Sequence, residues 1–335
     1  MKVNCLQVII LLFQNKTFNV IRKDLDVLEG ELIAAVSSHE RLITDIGTHL
    51  VKSGGKRLRP ALFLLAVHTG ADFNREKAMP LATALELIHM ASLVHDDVID
   101  HADTRRGTPT ANYKWGNQTA VLSGDYIFAK AFSLVAEEGY GDKVAAILAG
   151  LICDLSIGEI IQNREVYKAS CDIPEYYERI ARKTANFLAA CCELGALVAG
   201  LEQRYIDALK TYGYDIGMAF QITDDLLDIT SDKKTIGKPA GNDIHEGIVT
   251  LPVIRALETS PDSDELRTIV TNRDMTMDDV KRAIDIVKAS DGIMMAKRKA
   301  SEYIADAKAA LPDDMSEKIA NSYIRIADYI ADRKS

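Results

Sequence analysis

The stretch LATALELIHMASLVHDDVID, Leu81–Asp100, decides the fold of this chain. It holds no glycine or proline, and its apolar residues recur with helical periodicity. It ends in Asp96, Asp97 and Asp100, a D-D-x-x-D pattern set behind Ala-Ser-Leu-Val-His. The same pattern returns at Asp224, Asp225 and Asp228, behind Ala-Phe-Gln-Ile-Thr. On a helix, residues four apart share a face about one turn apart. Asp96 and Asp100 therefore point the same way with Asp97 beside them, and Asp224, Asp228 and Asp225 repeat the geometry. Carboxylates are costly to bury unless something neutralises them. Six acids in two apolar helical contexts ask for cations, and Mg²⁺ commonly bridges one or two carboxylates to phosphate oxygens. One such triplet alone reads as a solvated helix face; two, each behind apolar helix, reverse that reading.

The rest of the chain fits an all-α, single-domain helical bundle around a central cavity. Its 335 residues are 47% hydrophobic and 27% charged, with eight prolines. Pro60 and Pro80 fall at first-turn positions. Alternating strand patterns with glycine-rich hairpin turns are absent, and Asp291-Gly292 falls inside a helical region. Loops are expected at Ser53–Arg57, Asp103–Thr110, Ala169–Pro174, Ser231–Gly247 and Ser260–Asp264. Residues 1–23 read as an N-terminal extension or loosely docked helix, and 24–335 as the domain itself. The apolar run Cys5–Phe13 is too short to span a bilayer, so no membrane span is expected. The net charge of −9 argues against nucleic acid as the main partner. Five cysteines without C-x-x-C spacing point to reduced thiols and a cytoplasmic setting.

Cations are also present where a polyphosphate would need them. Ser53-Gly54-Gly55-Lys56-Arg57-Leu58-Arg59-Pro60 sets two glycines before three basic residues. Glycines let backbone approach an anion, and arginine offers a fork for phosphate oxygens. Arg105-Arg106-Gly107 follows the first aspartate triplet. Lys183-Thr184 and Lys238 are further candidates. His89 lies nearly two turns before Asp96, and Gln221 precedes Asp224 by three residues. A di-iron carboxylate bundle would need Glu-x-x-His on two helices. Glu86 and His89 supply one copy, and no other histidine has a Glu three residues before it.

Taken together, these blocks resemble the trans-polyprenyl diphosphate synthases, of medium- or long-chain type such as hepta- or octaprenyl diphosphate synthases. Gly237-Lys238-Pro-Ala-Gly-Asn-Asp243 and Thr250-Leu251-Pro252 match as well, and the motifs keep their order from about Leu28 onward. The resemblance implies the isoprenoid synthase fold and a reaction in which an allylic diphosphate ionises and isopentenyl diphosphate adds five carbons. It implies three Mg²⁺ ions held between the aspartate motifs, with Asp96, Asp100, Asp224 and Asp228 as ligands, and Asp97 and Asp225 in the same catalytic groups. Arg105, Lys183 and Lys238 would hold the allylic diphosphate. Lys56, Arg59, His89 and Arg106 would hold isopentenyl diphosphate, while Thr184 and Gln221 would line the cation path. The departing diphosphate would serve as base. Ile248 stands where many relatives carry a polar residue, away from the anion-binding positions.

Product length is read one to two turns before Asp96. In short-chain relatives the fourth or fifth residue before the motif is bulky and aromatic. Here those positions hold Ser92 and Ala91, with Ile88 deeper. The resemblance therefore implies a product of roughly thirty to forty carbons, with only the depth scaled by helix rise. The alternatives are a short-chain farnesyl or geranylgeranyl diphosphate synthase, a terpene cyclase or head-to-head condensing enzyme, the catalytic subunit of a heteromeric synthase with a small dissimilar partner, and a non-catalytic partner subunit. A homodimer is the default assembly.

Overall fold

A computed structural model of the chain describes residues 19–170, 172–230 and 240–332. It is helical almost throughout, as expected, and forms two compact units. One takes the residues up to Ile152 together with Ala190–Lys210 and Pro312–Tyr323; the other takes Cys153–Ala189, Thr211–Leu311 and the residues from Ile324.

The first unit is organised by α4 (Arg75–Ile99), which follows α1 (Arg22–Ala35), α2 (Arg41–Lys52) and α3 (Leu58–Val67). Beyond Arg59, α3 is apolar on every side and is buried from Pro60 to Val67. α4 buries Leu81, Leu85, Leu87 and Ile88 and packs against α1, α3 and α6 (Asn117–Glu138). Asn74 starts α4 by accepting a hydrogen bond from the Lys77 amide at 3.1 Å. Pro80 consequently sits in the second turn, not the first. The sequence reading missed this because the capping residue lies six positions upstream of the proline.

A second correction concerns Asp103–Thr110. β1 (Thr104–Arg105) and β2 (Thr108–Pro109) pair antiparallel there, with Arg105 opposite Thr108. Arg106 and Gly107 turn the chain with φ of +55° and +76°, the two left-handed residues of a type I′ hairpin. Strands of two residues carry no alternation for a sequence to display. The short α5 (Ala111–Trp115) leads on to α6, and α7 (Asp142–Glu165) begins in this unit.

In the second unit, α8 (Ile173–Ile180) opens with a capping box between Asp172 and Glu175 and runs into a π-helical turn, Ala181–Ala185. α9 (Asn186–Val198) passes from this unit into the first at Ala190, and α10 (Gln203–Thr230) returns to the second at Thr211; α11 (Asn242–His245), α12 (Leu251–Thr259), α13 (Ser263–Val270), α14 (Met277–Ala289) and α15 (Gly292–Ala309) belong to the second, and α16 (Glu317–Ala331) starts in the first and ends in the second. The core of this unit gathers Ile222 and Leu226 of α10 with Val253, Ile254, Val280, Ile284 and Ala296. Asp291-Gly292 is a helix break rather than a helical interior. Ser290 is extended, and a Cβ on Gly292 would stand 2.3 Å from the Pro252 carbonyl oxygen. Only glycine admits that approach.

By length and composition alone, α4, α6 and α7 could each cross a membrane. The apolar window of α4 is 72% buried inside the protein. α7 commits Asp154 and Glu159 to ion pairs with Arg182 and Lys183 at 2.6 and 2.5 Å. The N-terminal run Cys5–Phe13 lies outside the described residues.

Candidate active site

α4 delivers the first aspartate motif at its C-terminal end, where Asp100 is the C-cap. Asp96 is half-buried and Asp100 exposed, one turn apart on one face. Asp97 points elsewhere. It is buried and takes the Arg105 Nε at 2.6 Å, while its backbone carbonyl accepts from Ala102 and from Asn112 Nδ2. The sequence reading grouped Asp97 with the catalytic carboxylates. In the structure it anchors the hairpin and holds Arg105, the residue expected to grip the allylic diphosphate.

The basic loop lies in the same unit. Arg106, at the hairpin turn, donates from Nη1 to the Gly54 carbonyl and so ties hairpin to loop. Lys56 and Arg59 are half-buried, and Arg59 Nη1 lies 3.2 Å from His89 Nε2. Burial lowers the Arg59 pKa, opposed by Glu86 and Asp96 and reinforced by Arg106. A solvent-open cleft is lined here by Gly54, Arg57, Glu86, His89, Asp97 and Arg106, among others. The anion-binding candidates and the first acidic motif are thus neighbours.

Burial holds the His89 pKa well below its ordinary value, and the nearby Arg59, Arg106, Arg105 and Arg57 push it the same way. His89 is therefore a neutral ring at neutral pH, accepting from Arg59 and orienting it. Linkage then fixes a sign. The unfolded chain takes up a proton near pH ~6.5 that the folded chain refuses, so stability is full above that value and falls as pH drops below it. Urea midpoints between pH 7 and pH 5 are expected to fall less steeply in His89→Gln than in the parent chain. Parallel profiles would contradict the assignment.

In the second unit, the π-helical turn carries Lys183 and Thr184; such turns often occur at functional sites. Lys183 Nζ reaches Glu159 at 2.5 Å and Gln162 Oε1 at 2.9 Å. Thr184 Oγ1 donates to Gln221 Oε1 at 2.9 Å, and Gln221 Nε2 donates to Asp225 at 2.9 Å. The Tyr176 hydroxyl completes the chain by donating to Asp225 at 2.7 Å. Burial pushes Asp225 up to about 6, against the pull of these hydrogen bonds and Arg179. Asp225 thus orients Gln221, while Asp224 on the same helix is half-buried. Asp228 accepts the amides of Asn242 and Asp243 at 3.1 Å each, tying α10 to the start of α11. Lys238 lies outside the described residues.

The positions from which product length is expected to be read separate. Ser92 shares the Asp96 face, is half-buried, and turns its hydroxyl onto the His89 carbonyl at 2.9 Å. Ala91 is fully buried one turn before His95, which packs on α6 near Val121, Asp125 and Phe128. Ile88 is buried two turns before Asp96. The sequence reading treated Ala91 and Ser92 alike; the structure puts only Ser92 directly below the acids.

Glu159, Gln162 and Tyr176 carry no signal in the sequence, and Glu86 shows there only as half of a Glu-x-x-His pair. Each is a single residue on a helix whose partner is at least twenty residues away. Among the described residues no group of three His, Cys, Asp or Glu side chains converges on a metal position. Asp96 and Asp100 form a two-carboxylate, all-oxygen donor pair. That set fits Mg²⁺, which fills its remaining positions with water and substrate phosphate, and lacks the nitrogen and sulfur of a zinc site.

A family model described as Polyprenyl synthetase matches residues 40–287. The chain is 38% identical to "Heptaprenyl diphosphate synthase component 2" of Bacillus subtilis, over 95% of this chain and 90% of that protein. It is 35% identical to the nonaprenyl diphosphate synthase of Mycobacterium tuberculosis, over 82% of each chain. Among solved structures, a polyprenyl synthase from Caulobacter crescentus, complexed with calcium and isoprenyl diphosphate, superposes with a TM-score of 0.89 at 32% identity, covering 96% of this chain and 98% of that one. The heptaprenyl diphosphate synthase of Staphylococcus aureus gives 0.87 at 33% identity, covering 94% and 99%. The chain belongs to the polyprenyl synthetase family, as a trans-polyprenyl diphosphate synthase.

Proposed function

We propose that the chain elongates an allylic diphosphate by repeated condensation with isopentenyl diphosphate to a product of roughly thirty to forty carbons, the depth again scaled by helix rise. The observation that carries this reading is the gathering of Arg59, His89, Arg105 and Arg106 beside Asp96 in one unit. Lys56, Arg59 and Arg106 take isopentenyl diphosphate, with neutral His89 holding Arg59. Arg105, Lys183 and Lys238 take the allylic diphosphate. Asp96 and Asp100 of the first motif, and Asp224 and Asp228 of the second, would be the residues that hold magnesium, with three ions expected. Bound magnesium neutralises charge developing on the leaving diphosphate.

The allylic carbon–oxygen bond breaks and its electron pair leaves with diphosphate. Thr184 and Gln221, their dipoles fixed by Asp225, line the path of the resulting cation. The isopentenyl double bond attacks that cation, a carbon–carbon bond forms, and a proton passes to the departing diphosphate. A coupled diphosphate assay tests this. One diphosphate should appear per isopentenyl diphosphate consumed, and EDTA should stop it. Consumption without release would overturn the mechanism.

A second reading concerns assembly. Two relatives are named component 2 of a heptaprenyl diphosphate synthase. α6 leaves Leu122 60% exposed and α7 leaves Ile160 67% exposed, on helices whose apolar windows are only 33% and 28% buried. Such faces suit contact with another chain, either a second copy or a small dissimilar subunit. Light scattering separates a homodimer from a chain that remains monomeric until its partner is added.

A further inference from the structure

Arg57 sits in sequence between Lys56 and Arg59, two of the residues assigned to isopentenyl diphosphate, yet it cannot serve as they do. It is 5% exposed, and four of the five N–H bonds of its guanidinium are already spent. Nε and Nη2 donate to the two carboxylate oxygens of Glu29 at 2.6 and 3.1 Å. Nη1 donates to Glu86 at 2.7 Å, and Nη2 also reaches the Val51 carbonyl at 3.2 Å. No fork remains for a phosphate. Burial alone would lower its pKa, but Glu86 and Glu29 more than offset this.

The backbone of Arg57 is equally constrained. Its φ of +48° and ψ of 30° are left-handed, which a non-glycine residue holds only where its surroundings insist. It is the N-cap of α3, and its carbonyl accepts the Ala61 amide at 2.9 Å. Fixing this one residue therefore fixes the turn from Lys56 into the helix bearing Arg59. Gly55 is wedged beside it: a Cβ there would lie 2.8 Å from Arg106 Nη1 and 3.4 Å from Arg57 Nη1. Glu86 stands one turn before His89 on α4 and acts electrostatically on Arg59 as well. Glu29, on α1, brings the first described helix into the same arrangement.

We propose that Arg57 is a positioning residue for the isopentenyl diphosphate pocket, clamped by Glu29 and Glu86 beneath the loop so that Lys56 and Arg59 present their charges to the diphosphate. This rests on the reaction proposed above. Arg57 touches no substrate; it sets loop geometry, and α1 acts on the site through Glu29.

The test uses the full chain with Arg57→Lys, which keeps charge but loses the fork, and Glu29→Gln, at a half-exposed carboxylate whose loss leaves Glu86 in place. Arg57→Lys is expected to raise KM for isopentenyl diphosphate roughly tenfold, as misplacing a binding group does. Glu29→Gln should raise it by a smaller factor. KM for the allylic diphosphate and kcat should stay within about twofold on the same reasoning. Hydrogen exchange of the 54–57 amides, read without substrate, should quicken in both variants. Both KM values rising together, or isopentenyl KM and exchange unchanged in both variants, would overturn the proposal. A parent chain that binds no isopentenyl diphosphate by calorimetry would instead overturn the reaction on which it rests. If Arg57→Lys fails to fold, Glu29→Gln carries the decision.

Discussion

Asp96→Asn is expected to lower kcat on the order of 10³-fold, the scale of removing one group that stabilises transition-state charge. The variant keeps the size of the side chain and removes its charge, at a half-buried position on the end of α4. Stability should change little, since the substitution is isosteric and lies outside the fully buried core. Asp97→Asn makes the informative contrast. Asp97 is committed to Arg105 at 2.6 Å, so its loss should loosen the hairpin and raise KM for the allylic diphosphate, with a smaller fall in kcat. Steady-state rates across a Mg²⁺ titration check both. The Asp96 variant should need more Mg²⁺, and the Asp97 variant should not. Equal magnesium dependence in the two would mean that the two carboxylates do the same work.

Product length is the other large effect. Ser92→Phe is expected to shorten the product by several isoprene units, because an aromatic ring one turn below Asp96 closes about 5.4 Å of depth on that face. Ser92 is half-buried, so the fold should tolerate the ring. Ala91→Phe is a poorer probe. Ala91 is fully buried, so a phenyl ring there overpacks the interior at a cost of about 1–3 kcal/mol. Chromatography of the dephosphorylated products, beside thermal melts, separates the cases. A Ser92→Phe product as long as the parent's would place the growing tail elsewhere.

What could be read without coordinates followed from local pattern. The helix ending in Asp96, Asp97 and Asp100 announces itself by periodicity, and the basic residues from Lys56 to Arg59 by composition. What could not be read depends on distant partners. Nothing near Asp225 signals that Tyr176, forty-nine residues earlier, will hold its carboxylate. Lys183 looks like a spare cation until Glu159 and Gln162 come beside it from α7. Arg57 looks like a third phosphate ligand until Glu29 and Glu86 are seen to consume its donors. Equal-looking residues are thus told apart only by partners that lie far off in the chain. The same holds for Ala91 and Ser92, adjacent in sequence and assigned to different faces only once α6 is packed against α4. Small backbone features escape for another reason. The hairpin at Thr104–Pro109 and the break at Ser290 involve too few residues to carry a period.

The most direct test is to incubate the purified chain with farnesyl diphosphate, isopentenyl diphosphate and Mg²⁺ and to size the products. The account predicts all-trans polyprenyl chains of roughly thirty to forty carbons, a depth set by helix rise below Asp96. Products that stop at fifteen or twenty carbons, or no elongation at all, would contradict it.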